Sequence, residues 1–310
     1  MRLLILACAL SASPLALPAQ QPSAPTDAPP TAAAFMARVA ANQDKAEAAR
    51  THYIYVQHAR TASRKGKTIR CEETTDYRVT PTTAGSQQQL LKLDGRLLKK
   101  GVYTTYTALP SDKNDKDDDD YNVSADDNGL MDQDLVENMR KNLTNGKSKD
   151  GISPNLFPLT SKEQATYDFH LLGRAPMNGR DCFHIAFSPN DKNEFGWKGD
   201  AYIDATAYQP VLIRTVLSRK VPLAVRMLLG TNVPGLGFTV VYAPQPPNQP
   251  DAVWFPTTFG NEFKLRVLFF INRQITFSAD NRDFEKTHVS SQIVETPTNP
   301  VDPSARPNQP

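Results

Sequence analysis

Two stretches of the chain repeat their apolar residues with a helical period. Over residues 35–50, Phe35, Val39 and Ala40 stand among alanines and polar residues, which predicts an amphipathic helix. Over residues 130–143, Met131, Leu135, Val136, Met139 and Leu143 fall on one face of a second helix. Asp126, Asp127 and Asp132 stand at its start, Arg140 and Lys141 at its end, and Gly146 beyond it. The signs suit the helix dipole, and glycine suits the stop.

The rest of the body alternates with period two. Residues 52–58, His-Tyr-Ile-Tyr-Val-Gln-His, are rich in β-branched and aromatic side chains. Residues 69–80 are a more polar, half-exposed strand. Residues 87–99 read as a hairpin turning at Asp94-Gly95. A hairpin over residues 167–188 turns at Asn178-Gly179, a type I′ signal. That turn pairs Met177 with Arg180, and an unbroken ladder from there pairs His170 with Phe187. One face then carries Leu172, Phe183, Ile185 and Phe187, and the other Tyr167, Phe169, Leu171, Cys182 and Ala186. With apolar residues on both faces, each side of this hairpin needs a cover. Strands over 197–204 and 209–214 follow, then a short helical segment over 221–229 and a Gly/Pro loop over 232–237. Residues 252–259 and 262–271 read as a hairpin across Gly260-Asn261, and 273–278 and 284–294 as the last strands. The total is about ten strands and two or three helices, an α+β chain of mostly antiparallel β.

The two ends are of different character. Met1-Arg2, an apolar run from Leu3 to Leu17, and Ala19 at the cut make a signal peptide over residues 1–19. That run is too short to span a bilayer. A lipidated Cys8 is the alternative, with only half a normal apolar run before it. Residues 20–34 and 295–310 are proline-rich and are read as a disordered linker and tail around one domain over 35–294. Of 310 residues, 35 are Lys or Arg and 33 Asp or Glu, which gives no electrostatic reason to expect nucleic acid or an anionic membrane as partner. Beyond Cys8, Cys71 and Cys182 remain. Export to an oxidising compartment allows a Cys71–Cys182 disulfide, and two separate buried thiols are the alternative.

The string WKGDAYIDATAYQPVLIR, residues 197–214, resembles the paired strands of outer-membrane lipoprotein-sorting proteins of the LolA/LolB type: an aromatic, then Ile-Asp, a short turn, then Pro-Val and apolar alternation. The resemblance loosely covers residues 35–294. It implies a strongly curved, incomplete β-barrel with two or three helices on its concave face, and a lipid or lipoprotein acyl chain as partner, held in the hollow. No functional residue carries over, because the family's arginine for lipoprotein release has no assignable position here.

Chemistry is sparse. His52 and His58 share a strand face about 20 Å apart, and His170 and His184 fall on opposite faces of their hairpin. No GxSxG, HExxH or phosphate-loop pattern is present. Asp115, Asp117 and Asp119, in the acidic loop over 111–128, match the first odd positions of a calcium loop. Asp120 and Asp126 then stand where Gly and Glu belong, so a solvated loop is the plainer reading and a weak Ca²⁺ site the other. No cofactor is expected. The sequence points to an exported, non-enzymatic carrier in periplasm or medium, with peripheral envelope contact and no spanning segment in the mature chain. Its candidate lining residues are Phe169, Leu171, Phe187, Phe255 and Phe269. An envelope interaction protein with a filled core, or a hydrolase, are the alternatives. N-terminal sequencing of the exported protein should return a first residue at or near Gln20; recovery of Met1 refutes the signal peptide.

Overall fold

A computed structural model describes residues 31–107, 129–143, 159–191, 196–218, 236–247, 249, 251–267 and 271–287. Eleven strands form a single open antiparallel sheet. They are β1 (Tyr53–Lys65), β2 (Thr68–Thr82), β3 (Gly85–Lys99), β4 (Val102–Tyr106), β5 (Tyr167–Met177), β6 (Arg180–Pro189), β7 (Trp197–Asp204), β8 (Pro210–Leu217), β9 (Gly237–Gln245), β10 (Val253–Val267) and β11 (Ile271–Lys286). The spatial order is β4-β3-β2-β1-β11-β10-β9-β8-β7-β6-β5. Two meanders thus meet in the middle, where β1 pairs with β11 from Tyr53↔Lys286 to Arg64↔Gln274. The outermost strands, β4 and β5, do not pair, and the sheet curves as an unclosed barrel.

One face of this sheet is buried. Along β1, Tyr53, Tyr55, Gln57, Ala59, Thr61 and Ser63 are buried while the residues between 53 and 61 are half-exposed; along β11, Ile275, Phe277 and Ala279 are. That inner face is met by α1 (Ala32–Arg50) and α2 (Leu130–Leu143); a single turn, α3 (Ser161–Gln164), precedes β5. α1 starts three residues earlier than its apolar period indicates because Thr31 caps it, accepting from the Ala34 amide at 3.3 Å. α2 has the predicted bounds.

Two predicted hairpins are straight strand. Asp94 and Gly95 pair with Thr74 and Glu73 inside β3, and the chain reverses at Lys100-Gly101, where φ is +47° and +81°. Gly95 instead makes room: a Cβ there would lie 2.1 Å from the Tyr106 ring. Likewise Gly260 and Asn261 pair with Ser278 and Phe277 within β10, whose partner strand begins at Ile271 opposite Val267. In both cases a dipeptide with turn composition lacks the left-handed backbone that a type I′ turn requires, and the neighbouring strands continue the ladder through it. β11 likewise runs unbroken where two strands were read.

The Asn178-Gly179 turn stands as read, with φ of +50° and +76° and Met177 opposite Arg180. The register beyond it does not. A bulge at Leu172 shifts the ladder by one, so Phe187 faces Phe169 rather than His170. Phe169, Leu171, Ile185 and Phe187 then share one face, and Leu172 is exposed. The hairpin is apolar on one face only, which removes the sequence-based reason for a second cover.

Cys71 and Cys182 are free, buried thiols in separate clusters, with six strands between β2 and β6 in the sheet. The disulfide is therefore not formed. Burial pushes the Cys71 thiol up to about 12, despite its contact with the Tyr106 hydroxyl, so it is no thiolate at neutral pH. The helical reading of 221–229 lies outside the described residues. Replacing Gly95 by alanine forces the Tyr106 ring out of its place and should cost about 1–3 kcal/mol in urea denaturation; unchanged stability would show that Tyr106 does not depend on this close approach.

Candidate functional site: the inner face and its two covers

The hollow of the sheet is built around α1. Phe35, Met36 and Val39 enter a cluster with Phe183, Ile185, Phe187, Ile203, Ile213, Phe238 and Val240 from β6–β9. Phe35 lies edge-on to Phe183 at 4.5 Å and is fully buried. The β7–β8 turn seats the helix. Asn42 donates to the Ala207 carbonyl at 2.9 Å, Arg38 donates to the Tyr208 hydroxyl at 2.9 Å, and the Gln43 amide donates to Gln209.

Asp204 holds that turn. Its carboxylate accepts the amides of Thr206 at 2.9 Å and Ala207 at 2.8 Å, and the Arg180 guanidinium at 2.8 Å. Burial by itself would raise its pKa, but these donors together bring it below the ordinary carboxylate value. The Ile-Asp of the 197–214 string is thus the residue pair that buries Ile203 in the core and closes the turn under α1.

α2 is attached by different means. Asp132, Val136 and Arg140, spaced i, i+4, i+8, form the stripe that faces the sheet. Asp132 is 1% exposed. It accepts from Ser63 at 2.6 Å and from two nitrogens of Arg273 at 2.5 and 3.0 Å, with Arg70 at 3.6 Å. Arg140 donates to Glu73, also 1% exposed, at 2.8 Å and to the Tyr77 hydroxyl at 3.1 Å. Tyr106 donates to the other oxygen of Glu73 at 3.0 Å. Val136 sits between the two ionic clusters against Cys71 and Leu97. The helix-dipole reading of Asp132 and Arg140 missed this role. The available signal was their shared face with Val136, since a charged residue on the apolar stripe of a helix needs a buried partner.

Of the five predicted lining residues, three come together. Phe169, Leu171 and Phe187 stand on the inner face at the β5 end, with Tyr167 6.5 Å from Phe169 and 6.2 Å from Phe187. Phe187 is buried; Phe169, Leu171, Tyr167 and Trp197 are half-buried against the core. Phe255 is apart, fully buried with Tyr53, Tyr55 and Phe284. Phe269 lies outside the described residues, as do the acidic loop with Asp115, Asp117 and Asp119 and the segments read as signal peptide and tail. Among the described residues no group of His, Cys, Asp or Glu is arranged to hold a metal, and no helix is long and apolar enough to cross a membrane.

The chain is similar in layout to lipoprotein-sorting proteins of the LolA type. An outer membrane lipoprotein-sorting protein domain from Vibrio parahaemolyticus aligns over 81% of this chain and 92% of that one, at 13% identity and a TM-score of 0.35. A LolA superfamily protein from Nitrosomonas europaea aligns over 83% and 93%, at 11% identity and 0.32. The MucA/MucB complex of Pseudomonas aeruginosa aligns over 83% and 99%, at 13% and 0.21. No family model and no curated protein matches. At these identities and scores the likeness is one of arrangement and does not extend to activity.

Replacing Arg140 by methionine leaves Glu73 buried without its cation and should destabilise the protein by about 3–5 kcal/mol. Replacing both residues by methionine should restore a large part of that loss. Additive losses in a double-mutant cycle would show that the pair is not coupled.

Proposed function

We propose that this chain is an exported carrier that shelters an acyl chain, free or attached to a lipoprotein, on the inner face of its open sheet, and that it carries out no chemistry. The observation that supports this most is the half-buried apolar row of Tyr167, Phe169, Leu171 and Trp197 at the β5–β7 end. These side chains continue the core yet keep part of their surface uncovered, which an acyl chain would cover. Each sheltered CH₂ contributes about 0.8 kcal/mol, so partial shelter gives binding that is useful and reversible. The sequence adds the signal peptide and the resemblance of residues 197–214 to a family that carries lipoproteins.

A second reading is an envelope interaction protein with a filled core. The seat of α1 favours it: Phe35 and Val39 are fully buried, so the sheet under that helix is occupied by the protein's own side chains. The two differ in where a ligand has room, at the β5 end or nowhere on this face.

Solvent extraction of protein purified from its native envelope, with uptake of a fluorescent fatty acid by the delipidated chain, separates them. The carrier reading expects bound lipid and saturable uptake. It also expects Phe169→Asp to weaken uptake roughly tenfold with little change in melting temperature, because the side chain is half-exposed. No extracted lipid and no uptake would leave the filled-core reading.

A further inference from the structure

The face of the sheet turned away from α1 and α2 carries a groove of about 710 Å³. Its axis is a single ladder row across five strands: Arg214 on β8, Thr239 on β9, Gly260 on β10, Ser278 on β11 and Arg60 on β1, each opposite the next. Four strand-to-strand steps of about 4.8 Å place the two arginine backbones about 19 Å apart. Long cationic side chains thus form the two rims, and small residues the floor.

Gly260 is the informative position. Its backbone is outside the left-handed region, it makes no turn, and an added Cβ would meet nothing nearer than the Phe277 carbonyl at 4.0 Å. Neither backbone nor packing calls for glycine, and glycine inside a strand weakens it. What glycine does there is keep the floor of the groove open, as it does where a ligand approaches a strand closely.

The charge on the walls is positive. Arg64 stands in the next row but one, and its Nε is buried without a hydrogen-bond partner. Arg214 is exposed, with no ion pair among the described residues. Arg60 pairs with Glu72, but that one carboxylate also holds Arg96, so two guanidiniums share one negative charge. Glu262, the acidic wall residue, accepts from Gln274. Ser278, Thr239 and Thr276 add hydroxyl donors between the rims.

We infer that this groove binds a phosphate-bearing ligand, the phosphate held by Arg214 with the Thr239 and Ser278 hydroxyls beside Gly260 and the organic part running toward Arg60 and Arg64. A planar guanidinium fork with hydroxyl donors beside it matches the several oxygens of a phosphate group, and the cations at the far rim favour further negative charge on the ligand. The site is on the opposite face from the acyl shelter and stands or falls independently of it.

The test uses the full mature chain and two kinds of probe: glycerol 3-phosphate by calorimetry, and co-sedimentation with phosphatidylglycerol vesicles against phosphatidylcholine vesicles. Saturable, salt-weakened binding of glycerol 3-phosphate identifies a soluble ester; binding to phosphatidylglycerol vesicles alone identifies a lipid headgroup. Either way Arg214→Gln should weaken binding about tenfold, and Gly260→Val should abolish it without lowering the melting temperature. Should the valine variant misfold, Arg214→Gln, an exposed change, still decides. No binding of either probe, or binding that both variants retain, overturns the inference.

Discussion

An open antiparallel sheet that buries one face has to be covered on that face, and the placement of both long helices follows from how this chain covers it. Closing the sheet would remove the problem of its edges, but β4 and β5 do not meet. The inner face is shielded instead by two helices from different parts of the chain. α1 enters before the first strand and lies over the second meander. α2 follows the first meander and lies over β1 and β2. Each helix therefore covers strands that are not its immediate neighbours in sequence, or covers them from the far end of a meander, which ties the two halves of the sheet together.

The two covers obey different physics. α1 is held by apolar burial of Phe35, Met36 and Val39, and by polar contacts at its rim with residues 207–209. Such contacts tolerate small displacements, since apolar contact is non-directional. α2 is held by buried charge. Asp132 gathers Ser63 of β1, Arg70 of β2 and Arg273 of β11, while Arg140 takes Glu73 of β2. A buried ion pair adds little net stability, because desolvation offsets the attraction, but its partial loss is severe. This fixes α2 in one register on the centre of the sheet, where the two meanders join.

The two faces of the sheet also divide the chemistry. Under α1 the inner face is apolar and is only partly sealed at the β5 end, while under α2 it carries buried ion pairs. The outer face carries arginines over a floor of small residues. A chain with a net charge of only +2 places several cations on one outer groove, a concentration that whole-chain composition conceals.

Several features were determined by the sequence alone, because they depend on local periodicity. These include both long helices, the α2 boundaries, the Asn178-Gly179 turn and the predominance of antiparallel strands. Local composition also misled at Asp94-Gly95 and Gly260-Asn261, where turn-forming residues sit in straight strands since neighbouring strands supply the hydrogen bonds that a turn would have forgone. The bulge at Leu172 left no mark in the alternation of residues, yet it moved every side chain beyond it to the other face. Of the candidate lining residues, Phe169, Leu171 and Phe187 were legible as apolar strand positions, but only the folded register put them together and set Phe255 in another cluster. Partners remote in sequence decided the rest. Asp132 and Arg273 are 141 residues apart, and Arg140 and Glu73 are 67 apart. No local pattern links such residues, because what brings them together is the order of strands in the sheet.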